Sequence, residues 1–299
     1  MKLIEIGRKI SELRTEMDMT QWDLAEGICS QASISLIEQG ELDPNATTLY
    51  QIAKKLGVDV NYFFHIGSTP RLDYVNEVEK QLREMRVLQK YEDMMRIVKV
   101  EEKNPIFYRD HVRLQNLYWH KSIYYFEVKK DYDKAVEQLD GAVALVPAVN
   151  RAYTEHEIEM IMTRGAYEYS MGNVEEAIQF YKMVGKVLEE SSRILQDKSI
   201  KSRYYYNLAR AYTKIGKLEE STVLLTKGIE WGIENDELYT MAEFHYQIGY
   251  NYERMNDYKQ ALEFLDQSMA LFNLRSENPY KTFLADKRTR FLEALHISS

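Results

Sequence analysis

The sequence predicts an all-α protein with a small N-terminal domain followed by a longer array of helical repeats. The 299 residues contain only 5 prolines and 13 glycines, the residues that most often interrupt regular structure. Apolar residues recur every three or four positions, as they do on one face of a helix, and strand-like alternation is missing. Beyond residue 128 one pattern returns at intervals of about 40 residues, which is typical of helical repeat proteins.

Composition narrows the class of protein. The net charge is −8 and 45% of the residues are hydrophobic, so the chain can bury a sizeable core but is not coated with phosphate-binding cations. The one cysteine, Cys29, allows no intrachain disulfide and fits a reducing cytosol, so we expect a structural thiol and not a redox sensor. Charged residues interrupt the N-terminal apolar positions, and no apolar run reaches the ~20 residues of a membrane span. We therefore expect a cytoplasmic protein without a membrane segment.

Five helices are expected within residues 1–66. The predicted helices cover residues 3–17, two short segments of 20–40, a segment that ends at Gly57, and residues 58–64. Ser30 can cap the second short helix, whose inner face carries Ile34 and Ile37. Two short helices joined by a tight turn predict a helix-turn-helix, whose second helix enters the DNA major groove. An ordinary helical hairpin is the alternative.

Residues 6–64 resemble the Cro/C1-type helix-turn-helix family. The matching residues are Gly7, Ile10, Leu13, Arg14, Thr20, Gln21, Leu24, Ala25, Ile34, Ser35, Ile37, Glu38, Gly40, Pro44, Leu49, Ile52, Ala53, Leu56, Gly57, Val58 and Phe63. The sequence departs from the family in the turn, which is shorter by one residue and lacks the usual glycine near Ile28 and Cys29. Glu38 is expected in an interior polar network or as a helix cap, because its charge would be repelled by DNA.

The resemblance also implies which residues contact DNA. The expected contacts are Gln21, Ser30, Gln31, Ala32, Ser33, Ser35 and Leu36. Gln21 would bind a phosphate, and Gln31 would pair with adenine, since a Gln amide donates and accepts at once. Leu36 offers only apolar contact, and Ser33 and Ser35 can equally be helix surface. Acidic residues outnumber basic ones within residues 1–66, so we expect binding through neutral donors and helix N-termini, by a dimer.

Residues 67–88 predict a linker helix. Thr69 and Pro70 form a start signal, since proline is favoured at the first helical position. The apolar positions that follow are Leu72, Val75, Val78, Leu82 and Met85. Such a seam fits a dimerising coiled coil or a helix packed on its own chain, and we favour dimerisation because two-fold operators need two DNA-binding domains. The predicted division is 1–66 for DNA binding, 67–88 for the linker and 89–299 for the repeats.

Four segments of residues 129–272 share a turn, an acidic or amide residue and then a small residue. The small residues are Ala135, Ala177, Ser221 and Ala261. A fainter copy covers residues 89–100, and a helix rich in small and aromatic residues precedes each clear copy. The pattern resembles the tetratricopeptide repeat, which implies about five degenerate helix pairs in a right-handed superhelix, with residues 283–296 as a terminal cap.

The first helix of each pair would line the concave face of such a superhelix. In the repeat register the expected peptide-binding residues are Lys121, Tyr124, Thr163, Arg203, Tyr206, Asn207, Arg210, Lys214, Gln247 and Tyr250. Arg254 is expected on the same inward face. Asn207 can donate to a peptide carbonyl and accept from a peptide N–H. Arg210, Lys214 and Lys121 can hold a carboxylate. Each of these side chains can alternatively be a packing or solvated residue.

The two halves together resemble the RRNPP family of Gram-positive peptide-pheromone regulators, and its PlcR-type branch in particular. The resemblance implies a homodimeric transcriptional regulator that binds palindromic DNA and is controlled by a short signalling peptide on the concave face. Two alternatives stay open: repeats that bind a protein partner, and a sensor scaffold that no longer binds DNA. The sequence contains no phosphate-binding loop or nucleophile motif, and its six histidines are scattered. We therefore expect no enzyme, no cofactor and no metal, with His156 solvated.

Overall fold

The computed structural model of the chain describes residues 3–68, 71–148, 151–190, 194–238, 240–274 and 279–297. These residues are helical, with no strand among them, which confirms the all-α prediction. They divide into two compact units, Met1–Arg109 and Asp110–Ser299. The helix start predicted at Thr69 and Pro70 lies outside the described residues.

The first unit begins with the five short helices that the sequence predicts. Its described helices are α1 (Leu3–Glu16), α2 (Gln21–Ala25), α3 (Gln31–Gln39), α4 (Ala46–Lys55), α5 (Val60–Ser68), α6 (Leu72–Val87), α7 (Tyr91–Glu101) and α8 (Pro105–Tyr108). The prediction for α5 was wrong at both ends. Val58 still belongs to the end of α4, because its N–H bonds to the carbonyl of Ala53 at 3.0 Å. Helix α5 begins after it, at Val60, and runs through Gly67 to Ser68. A glycine inside a helix is tolerated because it costs only about 1 kcal/mol.

A single apolar core holds helices α1 to α5 together. Its largest fully buried members are Ile6, Ile10, Leu24, Ile34, Ile37, Leu49, Ile52 and Phe63. They recur at helical spacing on each element, which is why the periodicity of the sequence was enough to predict them. The core fixes α3 against α1 and α2.

The apolar seam of α6 is buried within its own chain. Helix α6 packs on α7, and Val75, Val78 and Leu82 are at most 5% exposed. The preference for a dimerising seam was therefore wrong for this conformation, because the side chains that a coiled coil would use already have partners. The pair α6–α7 corresponds instead to the faint repeat copy predicted at residues 89–100.

The second unit is a stack of helix pairs. Its described helices are α9 (His111–Tyr124), which continues as a π-helical turn (Tyr125–Lys129), α10 (Tyr132–Leu145), α11 (Glu155–Met171), α12 (Val174–Glu190), α13 (Ser199–Lys214), α14 (Leu218–Glu234), α15 (Met241–Arg254), α16 (Tyr258–Phe272) and α17 (Lys281–Ile297). Consecutive helices pair as α9–α10, α11–α12, α13–α14 and α15–α16, and α17 packs on α16. The four small residues of the repeat pattern are each 0% exposed, as a close helix crossing requires.

Neighbouring pairs pack through aromatic rings set against glycines. Phe244 of α15 lies on Gly228 of α14, where an added Cβ would be 2.5 Å from the ring. Tyr204 of α13 lies on Gly185 of α12 in the same way. In addition α11 contacts α13 and α13 contacts α15, so the first helices of successive pairs form one continuous face.

Among the described residues, no helix combines the length and the apolar character that crossing a membrane would need.

Candidate functional site

The helix-turn-helix is fixed by side-chain caps at both of its helix starts. Thr20 accepts from the N–H of Asp23 at 3.1 Å, and Asp23 accepts from the N–H of Thr20 at 2.8 Å. The Thr20 hydroxyl also donates to the Asp23 carboxylate at 2.6 Å, and this bond, together with the one from the Thr20 N–H, lowers the pKa of Asp23. Ser30 accepts from the N–H of Ser33 at 3.1 Å. The N-cap predicted at Ser30 is therefore present, and each cap satisfies an N–H that the helix itself leaves open.

The shortened turn does contain a left-handed glycine. Gly27 has φ +75°, a conformation that costs glycine little, so the sequence reasoning was wrong to find the turn glycine missing. The N–H groups of Ile28 and Cys29 then both bond to the carbonyl of Ala25, at 2.9 and 3.0 Å. Cys29 is half-buried against the core, and burial raises the pKa of its thiol, which favours the structural role over thiolate chemistry.

A polar network joins α1, α2 and α3. Glu38 accepts from the Arg14 guanidinium at 2.6 and 3.0 Å and from the Gln21 amide at 2.8 Å. Gln21 in turn accepts from the amide of Gln31 at 2.7 Å. Burial acts to raise the pKa of Glu38, but the hydrogen bonds from Arg14 and Gln21 outweigh it and lower the pKa. Glu38 therefore lies in an interior polar network, as predicted.

This network orients Gln31 and leaves part of its amide unused. One N–H of Gln31 is donated to Gln21, so the second N–H and the carbonyl oxygen remain for a base edge. Gln21, expected to bind phosphate, uses its own amide to hold Gln31 and Glu38. Its side chain therefore acts here as a positioning group for Gln31.

The remaining predicted DNA contacts lie along α3. Ala32 is exposed and Leu36 is 40% exposed. The hydroxyl of Ser33 is 2.8 Å from that of Ser30, and Ser35 accepts from the Gln39 amide at 3.2 Å. The helix thus presents small and apolar side chains that let it approach a groove closely. Sequence reasoning did not single out Trp22 on α2, which is 72% exposed.

Most cations of residues 3–66 have partners within that segment. Arg8 and Lys9 pair with Glu12, Arg14 pairs with Glu38, and Lys55 donates to the carbonyl of Glu26. Few positive charges of this segment therefore remain for phosphates, in line with the acidic balance of residues 1–66.

The second unit contains a groove of about 650 Å³ across α11, α13 and α15. It is lined by Tyr169, Tyr206, Arg210, Thr213, Lys214, Tyr246, Gln247, Tyr250, Arg254 and Tyr280. The volume falls within the roughly 300–1,000 Å³ of typical ligand pockets. Aromatic rings and cations dominate the lining, and none of these residues is acidic.

The three cations of the groove make no ion pair with a carboxylate of the described residues. Arg210 lies over the rings of Tyr169 and Tyr206, at 4.9 and 5.4 Å, and Lys214 lies over Tyr169 at 4.8 Å. Arg254 donates to the carbonyl of Thr213 at 2.9 Å. Cation–π contacts orient these charges without neutralising them, so the groove is suited to an anionic group.

Half of the predicted peptide-binding residues line this groove. They are Tyr206, Arg210, Lys214, Gln247 and Tyr250. Gln247 is 6% exposed and donates to the hydroxyl of Thr213 at 3.0 Å. Asn207 lies outside the lining, but on the same face of α13 as Arg210; it is half-buried and its amide has no hydrogen bond in the described residues.

The other predicted peptide contacts are engaged elsewhere in the second unit. Lys121 lies over the ring of Tyr118 at 5.7 Å, and Tyr124 is 5% exposed. Thr163 accepts from the indole of Trp119 at 2.9 Å and donates to a carbonyl of its own helix. Arg203 pairs with Glu159 at 2.7 Å. Thr163 and Arg203 lie on helices that line the groove, but contacts with neighbouring helices use their polar atoms. Lys121 and Tyr124 lie on α9, which contributes no residue to the groove lining.

Four groove residues were absent from the sequence prediction. Tyr169 and Thr213 continue the predicted register by one turn, and Tyr246 adjoins the predicted Gln247. Tyr280 precedes α17, beyond the last repeat, so the repeat register carries no signal for it.

No group of three or more metal-ligating side chains is found among the described residues. His156, expected to be solvated, is instead half-buried with its ring 4.8 Å from that of Trp119. It packs as part of the interface between α9 and α11.

Comparisons with known families also give two parts, but they divide the chain between residues 63 and 79, before the first compact unit ends at Arg109. A family profile described as helix-turn-helix matches residues 10–63, and one described as the RNPP family C-terminal domain matches residues 79–293. The chain belongs to the RNPP family. Comparison with curated protein sequences found no match.

Solved structures of RNPP-type regulators share the fold. The structure of Bacillus thuringiensis PlcR in complex with the peptide PapR7 and DNA has a TM-score of 0.85 at 20% identity, covering 94% of this chain and 99% of that chain. ComR from S. thermophilus in complex with DNA and its signalling peptide ComS has a TM-score of 0.64 at 14% identity, covering 96% and 99%. The Streptococcus dysgalactiae pheromone receptor Rgg2 has a TM-score of 0.62 at 15% identity, also covering 96% and 99%.

Proposed function

We propose that this chain is a transcriptional regulator that binds DNA through α2 and α3 and is controlled by a short peptide bound in the groove of the second unit. The observation that carries the proposal is the groove itself, in which three cations without carboxylate partners lie among tyrosine rings. PlcR, whose fold the chain shares, has been crystallised with DNA and the peptide PapR7, and ComR has been crystallised with DNA and its signalling peptide. The regulator would act as a homodimer on a palindromic site, in the cytoplasm.

Peptide recognition in this groove combines charge and amide bonds. Arg210, Lys214 and Arg254 supply charge-assisted bonds to a carboxylate, which are shorter and stronger than neutral ones. Beside the groove, on the same face of α13 as Arg210, Asn207 supplies an amide that donates to a peptide carbonyl and accepts from a peptide N–H. The peptide controls DNA binding only to the extent that it binds the DNA-competent arrangement of the dimer more tightly than the other.

DNA recognition relies mainly on neutral groups. Gln31 reads a base edge, and Leu36 and Ala32 make apolar contacts in the groove. Because most cations of residues 3–66 have internal partners, we expect few phosphate neutralisations and a shallow dependence of affinity on salt.

A gel-shift titration tests the DNA half of the proposal. The full-length protein is titrated onto fragments of its own upstream region, with and without a synthetic heptapeptide mixture, against a shuffled fragment of equal length. We expect a sequence-specific shift that the peptide mixture strengthens. If no sequence-specific shift forms under either condition, the scaffold interpretation replaces this proposal.

Calorimetry with individual peptides separates peptide control from control by a protein partner. Arg210→Gln should weaken binding of an acidic peptide, whereas Lys227→Gln, which removes an exposed cation of α14 outside the groove, should not. Equal affinities in both variants would show that the groove is not the peptide site.

A further inference from the structure

Trp22 is an exposed aromatic residue of the helix-turn-helix that the contacts described so far do not use. It lies on α2 and is 72% exposed. Its indole N–H has no hydrogen-bond partner among the described residues. Tryptophan is highly buried on average in folded proteins, and an apolar ring left in water forgoes the stabilisation that burial would give. The packing of the first unit therefore leaves this side chain available to a partner.

The hydrogen bonds of Gln21 place Trp22 at the edge of the proposed DNA interface. Gln21, the first residue of α2, accepts from the amide of Gln31, the first residue of α3, at 2.7 Å. In helix-turn-helix complexes the N-terminal residues of the recognition helix reach base edges, while the preceding helix crosses the DNA backbone. Trp22 follows Gln21 directly on that preceding helix. It therefore lies close to the residue that reads a base, where the sugar–phosphate backbone would run.

Trp22 projects away from the core of the first unit. Each residue turns an α-helix by about 100°, so residues two positions apart project in roughly opposite directions. Leu24 is 0% exposed and belongs to the core. The indole of Trp22 is therefore directed outward, where a DNA strand can reach it.

The charged groups next to Trp22 leave this edge accessible to DNA. The carboxylate of Asp23 is turned back to Thr20, whose N–H and hydroxyl donate to it at 2.8 and 2.6 Å. Lys55 donates to the carbonyl of Glu26 at 2.9 Å, and its positive charge also acts on Asp23. This cation reduces the repulsion that the acidic residues of α2 would exert on a phosphate.

An indole suits a sugar–phosphate backbone in two ways. Its N–H is a hydrogen-bond donor without an acceptor beside it, so it can bond to a phosphate oxygen. Its flat apolar ring can pack on a deoxyribose. Contacts to phosphate and sugar fix the orientation of a protein on DNA without reading the sequence. Because most cations of residues 3–66 are engaged, a neutral donor is well suited to this task here.

We propose that Trp22 contacts the DNA backbone, its indole N–H donating to a phosphate and its ring packing on the adjoining deoxyribose. The inference rests on the proposed function, since it adds a residue to that same DNA interface. Trp22 thereby positions α3 in the major groove, while Gln31 reads the base. An uncharged donor releases no counterions, so this contact adds affinity without steepening the dependence of affinity on salt.

Gel shifts with the full-length protein separate positioning from base reading. The probes are the fragment of the protein's own upstream region that shifts specifically and a shuffled fragment of equal length, each at several salt concentrations. Trp22→Ala should weaken binding to both fragments by the same factor, about 10-fold, because hydrogen bonds to charged groups are the strong ones. The slope of log affinity against log salt should not change. Trp22→Phe, which keeps a ring but has no N–H, should fall between wild type and Trp22→Ala.

Two controls accompany these variants. Gln31→Ala should weaken binding to the specific fragment alone. Ile4→Ala should bind both fragments like wild type, since Ile4 is 67% exposed and lies against Gly40, at the opposite end of α3 from Gln31.

Tryptophan fluorescence reports on the contact directly. The chain has three tryptophans, and the other two, Trp119 and Trp231, belong to the second unit, where Trp119 is 2% exposed and Trp231 is half-buried. We expect a DNA-dependent change in the emission of the wild type that is lost in Trp22→Phe.

Three results would overturn the inference. Equal affinities of Trp22→Ala and wild type for both fragments would mean that the exposed ring serves a protein partner instead of DNA. A loss confined to the specific fragment would make Trp22 a base reader and not a backbone contact. Both results would leave the proposed function standing. If the wild-type protein shifts no fragment specifically, the proposed function fails and this inference fails with it.

Discussion

Replacing Glu38 by alanine tests how far the helix-turn-helix depends on its buried polar network. The carboxylate accepts three hydrogen bonds, two from Arg14 and one from Gln21. Its side chain is 6% exposed and that of Arg14 is 14% exposed. The substitution would leave the Arg14 guanidinium without its counter-charge, and would release the Gln21 amide that positions Gln31.

The expected loss of stability is about 3 kcal/mol. Removing one partner of a fully buried ion pair costs about 3–5 kcal/mol, and the slight exposure of Arg14 places this pair at the lower end. Domains are stable by only about 5–15 kcal/mol, so the loss is a large part of what holds the first unit folded. Replacing both partners together, as Arg14→Met with Glu38→Leu, should recover most of it, because no unpaired charge is then left.

Hydrogen exchange followed by mass spectrometry measures this in the intact protein, since fragments covering α1 and α3 report on the first unit alone. Glu41→Ala is the control, because Glu41 is exposed two residues beyond α3 and its carboxylate has no partner in the described residues. The folded-state pKa of Glu38 is lowered, so its contribution should be complete above the unfolded pKa of about 4.3. It should disappear as pH falls through the folded value. Unchanged protection of α1 and α3 in Glu38→Ala at pH 7 would refute the reasoning.

Three further substitutions test the two sites and the packing between repeats. Gln31→Ala should weaken specific DNA binding by about 1–3 kcal/mol, through lost base contacts, and leave peptide affinity intact. Gel shifts measure the DNA affinity and calorimetry measures the peptide affinity. An equal loss of both affinities would contradict the division of roles between the two units. Asn207→Ala should weaken peptide binding by about 1–3 kcal/mol, because peptide groups buried against it lose their partner; unchanged affinity in calorimetry would place the peptide elsewhere. Gly228→Ala should destabilise the second unit by about 1–3 kcal/mol, since the added Cβ lies 2.5 Å from the ring of Phe244 and overpacking costs that much. A melting temperature equal to that of the wild type in the Gly228→Ala variant would mean that α14 and α15 separate at little cost.

Features set by local chemistry were predictable from the sequence. The cap at Ser30 and the buried small residues at Ala135 and Ala261 each depend on neighbours within a few positions or on a regular period. The role of Glu38 followed from one physical argument, that a carboxylate is repelled by DNA.

The rest depended on contacts that no local pattern encodes. The apolar residues of α6 have the same spacing whether the helix dimerises or packs on α7. The spacing alone therefore cannot tell which partner covers them. Thr163 and Arg203 have the register of groove residues, but Trp119 and Glu159 on neighbouring helices take up their polar atoms. Tyr280 enters the groove from outside the repeats, so the period that located the other residues could not locate it.

The place of Tyr280 in the chain has a consequence for the order in which the protein becomes competent. Chains fold from the N-terminus during synthesis, and the helix-turn-helix core is complete within the first 63 residues. Tyr280, by contrast, lines the groove of the second unit and is synthesised long after that core. The DNA-binding domain therefore forms early, while the groove is completed only after Tyr280 has been made. A chain that stops short of Tyr280 would keep its DNA reader but have an incomplete groove.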